Sequence, residues 1–165
     1  MPELRLNLLT REWVIITKEK GKRPEDFIGA RERKKFPEYV NTCPFCKGNE
    51  SRTSEETYSV KDEHGWKIRV VSNRFSVLSK DGDRWRHNSD MKKLVNGVGT
   101  HELIVESPLH NLTTATMSTD QIKELLFTYK ERFIEAYNDK RVENVLIFKN
   151  SGERSGTPVE HPISQ

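Results

Sequence analysis

One strongly amphipathic stretch, from about Ser118 to Tyr137, limits the folds that this chain can adopt. Ser118 and Gln121 have the spacing of a capping box, which predicts that a helix begins at this point. Apolar residues then recur with helical spacing along one face, namely Ile122, Leu125, Leu126, Tyr129 and Phe133. Because such a stripe has to be buried, we expect the helix to pack against the remainder of the chain.

Short β-type runs fill much of the remaining sequence. They lie at residues 13–16, 57–60, 67–71, 101–106 and 145–148. The second and third flank a turn-like segment and predict a β-hairpin. Residues 79–97 are rich in Asp, Gly, Asn, Arg and Lys, which predicts a mobile loop, and the charged residues 25–40 predict a solvated linker or helix. Antiparallel strands packed against one long helix define an α+β domain.

Length and charge narrow the functional classes. At 165 residues the chain fits one domain with a core of ordinary size. Its net charge of +3 is small and its basic residues are interleaved with acidic ones, which argues against a nucleic-acid partner. No apolar run approaches the ~20 residues that cross a bilayer, and the amino terminus lacks a signal-peptide pattern. We therefore expect a soluble, cytoplasmic protein without a membrane partner.

Cys43 and Cys46 are the only cysteines in the sequence, and they form a Cys-Pro-Phe-Cys motif. In a cytosolic protein this spacing indicates half of a metal site, a redox pair or two buried thiols. A zinc ribbon would need a second such motif, so histidines would have to complete a site with four ligands. His110 and His161 are favoured because both lie near strand ends, although a lone histidine is more often a surface or capping residue.

Two further segments have the composition of anion sites. The turn after the last β-type run offers side-chain and backbone donors that suit phosphate oxygens, from Asn150, Gly152, Ser155, Gly156 and Thr157. The alternative is an ordinary polar loop, because no Walker motif is present. The second segment is a basic loop with Lys20, Lys22 and Arg23, for which a solvated run of charges is the alternative.

Several motifs, taken in order, resemble those of the galactose-1-phosphate uridylyltransferase family, a branch of the histidine triad superfamily. The opening strand at 8–14, the basic loop at 22–24 and the cysteine knuckle at 43–50 come first. A segment that resembles the family's nucleotide contacts follows at 69–75, and a strand then leads to His110. The Phe-Lys-Asn-Ser-Gly run at 148–152 and His-Pro-Ile-Ser-Gln at 161–165 match the catalytic end. The resemblance covers nearly the whole chain and corresponds to the family's amino-terminal half.

The resemblance implies a histidine-triad-like antiparallel sheet, or half-barrel, packed with one long helix. It implies a nucleotidyltransferase of galactose metabolism that moves UMP from UDP-glucose to galactose 1-phosphate through a covalent uridylyl-histidine. It implies a homodimer and a structural zinc ion, which thiolate and imidazole ligands favour over iron. The implied zinc ligands are Cys43, Cys46, His110 and His161. The implied contacts to uracil and ribose are Asn73 and Phe75. The implied phosphate contacts are Asn150, Gly156 and Gln165, and Arg23 is implied for the hexose phosphate.

The catalytic end departs from the family motif His-Pro-His-x-Gln at its second histidine, which is the nucleophile. This chain has Ile163 there, and an isoleucine has no lone pair with which to form the covalent intermediate. A serine that the family places in the phosphate turn is replaced by Pro158. Since the sequence stops at Gln165, we expect one amino-terminal uridylyltransferase domain over residues 1–165, without the family's carboxy-terminal domain.

Other hypotheses remain at this point. The chain could be a non-catalytic zinc- and nucleotide-binding module, either a relict or a regulatory copy. A zinc knuckle for nucleic acid is disfavoured by the weak charge bias and by the single aromatic residue of the knuckle, Phe45. Within the enzyme class, the nearest alternative is a related phosphorylase acting on another nucleoside diphosphate sugar.

Overall fold

A computed structural model of the protein describes residues 3–16, 36–89, 92–152, 155 and 160–165. The strands of this part are β1 (Glu3–Leu6), β2 (Trp13–Ile16), β3 (Glu56–Asp62), β4 (Gly65–Ser72), β5 (Arg86–Ser89), β6 (Lys92–Asn96), β7 (Glu102–Val105) and β8 (Ile163–Ser164). The long helix α1 (Thr119–Tyr137) lies between β7 and β8 in the chain. The predicted α+β class, with antiparallel strands and one long helix, is confirmed.

Four strands, in the order β3-β4-β7-β8, form an antiparallel sheet that we call the site sheet. The predicted hairpin forms one side of it, because β3 pairs with β4 across a two-residue turn at 63–64. β4 then pairs with β7, and β7 pairs with β8, where Val105 lies opposite Ile163. The site sheet therefore joins the β3–β4 hairpin to the His-Pro-Ile-Ser-Gln motif at 161–165.

The site sheet is apolar on both faces, because side chains alternate between the faces of a strand. One face packs with the cysteines in a cluster that includes Val71, Val105 and Ile163. The other face packs against α1 in a cluster of Ile68, Val70, Ile104 and Leu125. Burial on both faces makes the sheet a rigid base for the residues at its edge.

The remaining four strands form a second antiparallel sheet, in the order β2-β1-β6-β5, that we call the N-terminal sheet. It contains β5 and β6, so the prediction of a mobile loop over residues 79–97 is wrong. In this sheet β6 pairs with β1, with Leu4 opposite Val95. The backbone hydrogen bonds of the polar segment are thus supplied by a strand about ninety residues earlier in the chain, which local composition does not reveal.

The helix begins as predicted, and its packed face matches the predicted stripe in part: Leu125 and Tyr129 pack on the site sheet. The side chain of Ser118 accepts a hydrogen bond from the backbone N–H of Gln121 at 3.2 Å, which is one half of a capping box. The Gln121 side chain reaches across to the end of β7, where its amide nitrogen donates to the backbone carbonyl of Glu106. Leu126 and Phe133, predicted for the buried stripe, are 59% and 41% exposed. The face that packs on the site sheet is centred on 125, 128 and 129.

Residues 145–148 do not form the predicted strand. Phe148 and Gln165 nevertheless exchange two backbone hydrogen bonds, at 3.0 and 2.9 Å. This exchange is the pattern of an antiparallel pair, and it places the 148–152 turn beside β8.

Some predicted features fall outside the described residues. These include the basic loop with Arg23, the turn residue Gly156 and the charged segment up to residue 35. Within the described ranges, no helix has both the length and the apolar character needed to cross a bilayer.

Candidate metal centre and adjoining site

The two cysteines lie on the knuckle, residues 43–50, which forms a tight turn. The N–H of Cys43 donates to the carbonyl of Val40 at 3.0 Å, and the N–H of Asn49 donates to the carbonyl of Cys46 at 3.1 Å. The buried Asn49 side chain also donates to the carbonyl of Cys43, at 2.7 Å. Gly48 has a φ of +94°, a left-handed conformation that glycine adopts without steric cost. These contacts fix the turn so that both thiols reach the same buried pocket.

His110 and His161 complete a buried group of four side chains with the two cysteines. Nδ1 of His110 lies 3.5 Å from Sγ of Cys46. Nδ1 of His161 lies 3.7 Å from Sγ of each cysteine and 3.3 Å from Nδ1 of His110. The structure thus brings together the four residues that the family resemblance implies as metal ligands.

These distances fit a four-coordinate metal ion. A tetrahedron with zinc–sulfur bonds of about 2.3 Å and zinc–nitrogen bonds of about 2.0–2.1 Å has nitrogen–nitrogen edges of about 3.3 Å and nitrogen–sulfur edges of about 3.5 Å. The His161 tautomer also fits, since Nε2 lies 2.8 Å from the carbonyl of Ser107, which can only accept. Nε2 therefore carries the hydrogen, and the lone pair of Nδ1 is directed at the cysteines. The backbone N–H of Val40 donates to Sγ of Cys46 at 3.4 Å, which favours a thiolate.

Burial sets the protonation of this group. It lowers the pKa of His161 to about 4 and also lowers the pKa of His110. It raises the pKa of the Cys43 thiol to about 11. Neutral imidazoles are the form that binds metals, whereas a thiol has to lose its proton on binding. A bound cation would offset the cost of burying thiolates here, so the group can bind a metal ion.

The metal group and the terminal motif share one face of the chain. His161, Ile163 and Gln165 are alternate residues, and Ile163 packs in the same apolar cluster as the two cysteines. Ser164 points to the opposite face, where its hydroxyl is 2.5 Å from the hydroxyl of Tyr129 on α1. Strand alternation explains both directions. Position 163 is therefore buried between the metal group and Gln165.

On the opposite face, a fully buried carboxylate organises a polar network that the sequence analysis missed. Glu106 accepts hydrogen bonds from Ser164, from Lys149 and, at 3.3 Å, from Tyr129. The ion pair with Lys149 supplies the opposite charge that a buried carboxylate requires. The signal in the sequence is weak: a single Glu directly after the apolar run of β7, with partners far away in the chain.

The network lies beneath two predicted phosphate contacts. Lys149 directly precedes Asn150, and Ser164 directly precedes Gln165. Through these neighbours Glu106 joins the two segments that carry Asn150 and Gln165. Asn150 itself is exposed, two residues beyond the Phe148 and Gln165 pair.

The predicted nucleotide-contact segment approaches Gln165 from the other side. Oδ1 of Asn73 accepts a hydrogen bond from the backbone N–H of Phe75 at 2.9 Å. The Phe75 side chain is 58% exposed. Nδ2 of Asn73 contacts the ring of His101, and Nε2 of His101 lies 2.9 Å from Oε1 of Gln165. His101, which the sequence analysis left without a role, therefore links two of the predicted contacts.

Three histidines stand apart from the metal group. His64 and His87 are exposed, and His101 lies at the start of β7. Among the described residues, the Cys₂His₂ set is the only group of three or more His, Cys, Asp and Glu side chains that could hold a metal ion together.

The fold and the buried Cys₂His₂ group define a class: an α+β domain of the histidine triad type with a candidate metal centre. The chain belongs to the galactose-1-phosphate uridyl transferase family, because the family model of the N-terminal domain matches residues 1–165. The family membership expected from the motifs is confirmed.

Relatives and solved structures agree with this membership. ADP-glucose phosphorylase of Arabidopsis thaliana is 30% identical over 99% of this chain and 47% of its own length. Galactose-1-phosphate uridylyltransferase of Thermotoga maritima is 28% identical over 100% of this chain and 46% of its own length. The chain thus spans about half the length of these relatives.

Two structural neighbours cover the described fold. A crystal structure of an ADP-glucose phosphorylase from Arabidopsis thaliana with bound ADP-glucose aligns with a TM-score of 0.63, at 27% identity over 99% of this chain and 47% of that chain. A uridylyltransferase structure aligns with a TM-score of 0.68, at 22% identity over 98% of this chain and 44% of that chain. The second likeness concerns the fold alone.

Proposed function

We propose that this chain is a nucleotidyltransferase-family domain that binds a nucleoside diphosphate sugar through its nucleotide half. One observation carries the proposal: Gln165 lies four residues after metal-group residue His161, on the same face, and is linked through His101 to Asn73. Amide donors from two segments therefore converge beside a buried, metal-capable edge of the sheet. The Gln165 amide can stabilise charge on phosphoryl oxygens, and the Asn73 amide can hydrogen-bond the base or ribose.

The metal in this proposal is zinc, held by Cys43, Cys46, His110 and His161. Four protein ligands fill a tetrahedral shell, so the ion has a structural role. Bound zinc would fix the knuckle against β7 and β8 and so stabilise the edge at which Gln165 lies. Thiolate and imidazole ligands favour zinc over iron.

The proposed contacts divide by chemistry. Asn73 and Phe75 face the base and ribose, for which an amide and an exposed ring are suitable groups. As the family resemblance implies, we assign Asn150, Gly156 and Gln165 to the phosphates and Arg23 to the phosphate of the hexose 1-phosphate. The family's transfer of UMP from UDP-glucose to galactose 1-phosphate supports these assignments. A cytoplasmic location, where thiols stay reduced, and a homodimer belong to the same proposal.

Position 163 determines what the domain does with a bound nucleotide. In the family reaction a histidine nitrogen attacks the phosphorus next to the nucleoside, and the sugar phosphate leaves. Ile163 is buried and has no lone pair, so this chain cannot form the uridylyl-histidine at that position. We therefore propose binding without covalent transfer. This is the non-catalytic, relict or regulatory, alternative within the same family.

The test combines binding with mass analysis. The protein is incubated with UDP-glucose carrying a labelled uridine, and the intact mass is measured after denaturation. We expect saturable binding of UDP-glucose and UMP and no added uridylyl mass. In Ile163→His we expect an adduct to appear, with Ile163→Leu as the control of similar volume. An adduct on the unaltered protein would overturn the role of Ile163, and failure to bind either nucleotide would overturn the proposed function.

A second candidate ligand is ADP-glucose. The observation that favours it is the 30% identity to a relative named ADP-glucose phosphorylase. Competition for a fluorescent nucleotide distinguishes the two: tighter displacement by ADP-glucose than by UDP-glucose assigns the adenine ligand, and the reverse order assigns uracil.

A further inference from the structure

His101 lies directly before β7, where it contacts two other segments of the chain. The backbone N–H of Val77 donates to its Nδ1 at 3.1 Å. Its Nε2 lies 2.9 Å from Oε1 of Gln165. Its backbone carbonyl accepts from the N–H of Asn73 at 2.9 Å. The ring therefore spans the distance between the proposed nucleotide-contact segment and the proposed phosphate contact.

These contacts allow one arrangement of hydrogens. A backbone N–H can only donate, so Nδ1 of His101 has to be the acceptor for Val77. In a neutral imidazole the other nitrogen then carries the hydrogen, so Nε2 donates. The atom of Gln165 that receives this hydrogen bond has to be the carbonyl oxygen, Oε1, which agrees with the observed contact.

The tautomer fixes the direction of the Gln165 amide. With Oε1 held by His101, Nε2 of Gln165 is turned away and presents two hydrogens. Within the described ranges this nitrogen makes no hydrogen bond to another residue. A group with only donors selects a ligand with only acceptors, and the oxygens of an ionised phosphate are such acceptors.

The side-chain amide of Asn73 is also oriented with its nitrogen as the available donor, but by a different contact. Its Oδ1 is occupied by the N–H of Phe75, so its Nδ2 is also a donor. Nδ2 lies 3.1 and 3.4 Å from the two ring nitrogens of His101. One atom cannot be in line with both nitrogens, so this is a contact with the ring itself. The ring therefore also supports the second amide.

We propose that His101 is a positioning residue that sets the hydrogen-bond polarity of Gln165, so that the site selects the phosphoryl oxygens of a nucleoside phosphate. The proposal rests on the proposed function, since it takes a nucleotide as the ligand. It assigns to His101 no contact with the reacting atoms. Its effect is exerted through Gln165.

The first test is the tautomer itself. Nitrogen-15 NMR of the full chain distinguishes the protonated from the unprotonated ring nitrogen of His101. We expect the hydrogen on Nε2 in the protein without nucleotide. On addition of UMP we expect the side-chain amide hydrogens of Gln165 to shift. A hydrogen on Nδ1 would overturn the inference whether or not UMP binds, so this result is separate from failure of the proposed function.

The second test is a set of variants titrated with UMP and with uridine. His101→Leu removes both ring hydrogen bonds, whereas His101→Gln keeps one donor and one acceptor in a side chain of similar reach. His64→Leu, at an exposed histidine, is the matched control. We expect His101→Leu to weaken UMP binding about tenfold, the loss of one oriented hydrogen bond. Uridine binding should change less than about threefold, and His101→Gln should recover most of the UMP affinity.

Metal content and thermal midpoint are measured on the same variants. If His101→Leu weakens UMP and uridine equally, or if His101→Gln is no better than His101→Leu, His101 has only a structural role and the inference is wrong. If uridine is bound too weakly to measure in any variant, the comparison of His101→Gln with His101→Leu decides. Absence of UMP binding in the unaltered protein would overturn the proposed function, and the tautomer measurement would still test the position of the hydrogen.

Discussion

The two sheets in the described part of the chain each have four strands, but they differ in how far their side chains are exposed to solvent. In the site sheet, Ile68, Val70 and Val105 are completely buried. In the N-terminal sheet, all four residues of β2 are 38–48% exposed. The site sheet carries the metal group at its edge and α1 on one face, whereas the N-terminal sheet carries none of the described candidate site residues.

The difference indicates that the site sheet contributes more to the free energy of unfolding than the N-terminal sheet does. A candidate site holds its geometry when the elements beneath it are packed on both faces. The site sheet meets this condition through the cysteine cluster on one face and α1 on the other. We expect substitutions in the N-terminal sheet to cost less stability, because its side chains bury less apolar area. Three measurements test this difference between the sheets.

The largest effect is expected from loss of a metal ligand. In His161→Ala the Cys₂His₂ group loses one of its four ligands, and we expect the bound metal to fall from about one equivalent to near zero. Structural zinc contributes about 10–16 kcal/mol of apparent binding free energy in zinc-finger peptides, so the thermal midpoint should fall sharply. Mass spectrometry of metals and thermal denaturation measure both quantities.

The same substitution at an exposed histidine provides the control. His64→Ala should retain the metal and the midpoint, because its side chain is 83% exposed and lies outside the group. Hydrogen exchange then separates the sheets. In His161→Ala the amides of β7 should lose protection, while those of β1 and β6 keep it. Full metal content in His161→Ala would contradict the assignment of that ligand.

Features with a local signature were predictable from the sequence. The knuckle was predictable because two cysteines three residues apart, followed by Gly48, can form a turn with few alternatives. The start of α1 was predictable because Ser118 caps the N–H of a residue three positions on. The β3–β4 hairpin was predictable because two short β-type runs flank a turn-like segment. The family motifs added His110 and His161, which spacing alone had only favoured.

Features that depend on distant partners were not predictable. Strand β6 has a polar composition and becomes a strand because β1 supplies its hydrogen bonds. The helix face was predicted only in part: Leu125 and Tyr129 pack on the site sheet, whereas Leu126 and Phe133 are exposed and Thr128 is buried. Glu106 was assigned no role from the sequence, because its partners Lys149 and Ser164 lie much later in the chain. In each case the deciding partner lies far away in sequence.

The second prediction compares one substitution in the two sheets. Ile68→Ala removes a fully buried side chain of the site sheet and should cost about 2–5 kcal/mol of unfolding free energy. Ile15→Ala removes a side chain that is 45% exposed in the N-terminal sheet and should cost less than about 1 kcal/mol. Urea denaturation of both variants measures the difference. Equal costs would show that the N-terminal sheet is packed against something that covers β2.

The smallest expected effect is a difference in coupling energy between two Arg–Glu ion pairs, one at each sheet. Arg132 and Glu102 join α1 to the site sheet through two hydrogen bonds of 2.9 Å, and their side chains are only 18% and 14% exposed. Arg5 and Glu3 pair within β1, with side chains that are 53% and 30% exposed.

Double-mutant cycles to alanine should give a coupling of about 1.5–3 kcal/mol for the first pair, as for hydrogen bonds between charged groups. The second should give about 0.2–1 kcal/mol, because solvent screens it and two long side chains have to be ordered. Added salt should reduce the weaker coupling more than the stronger one. If the β1 pair proved as strong as the pair under α1, burial would not be what distinguishes the two sheets. The contrast between them would then rest on the metal group alone.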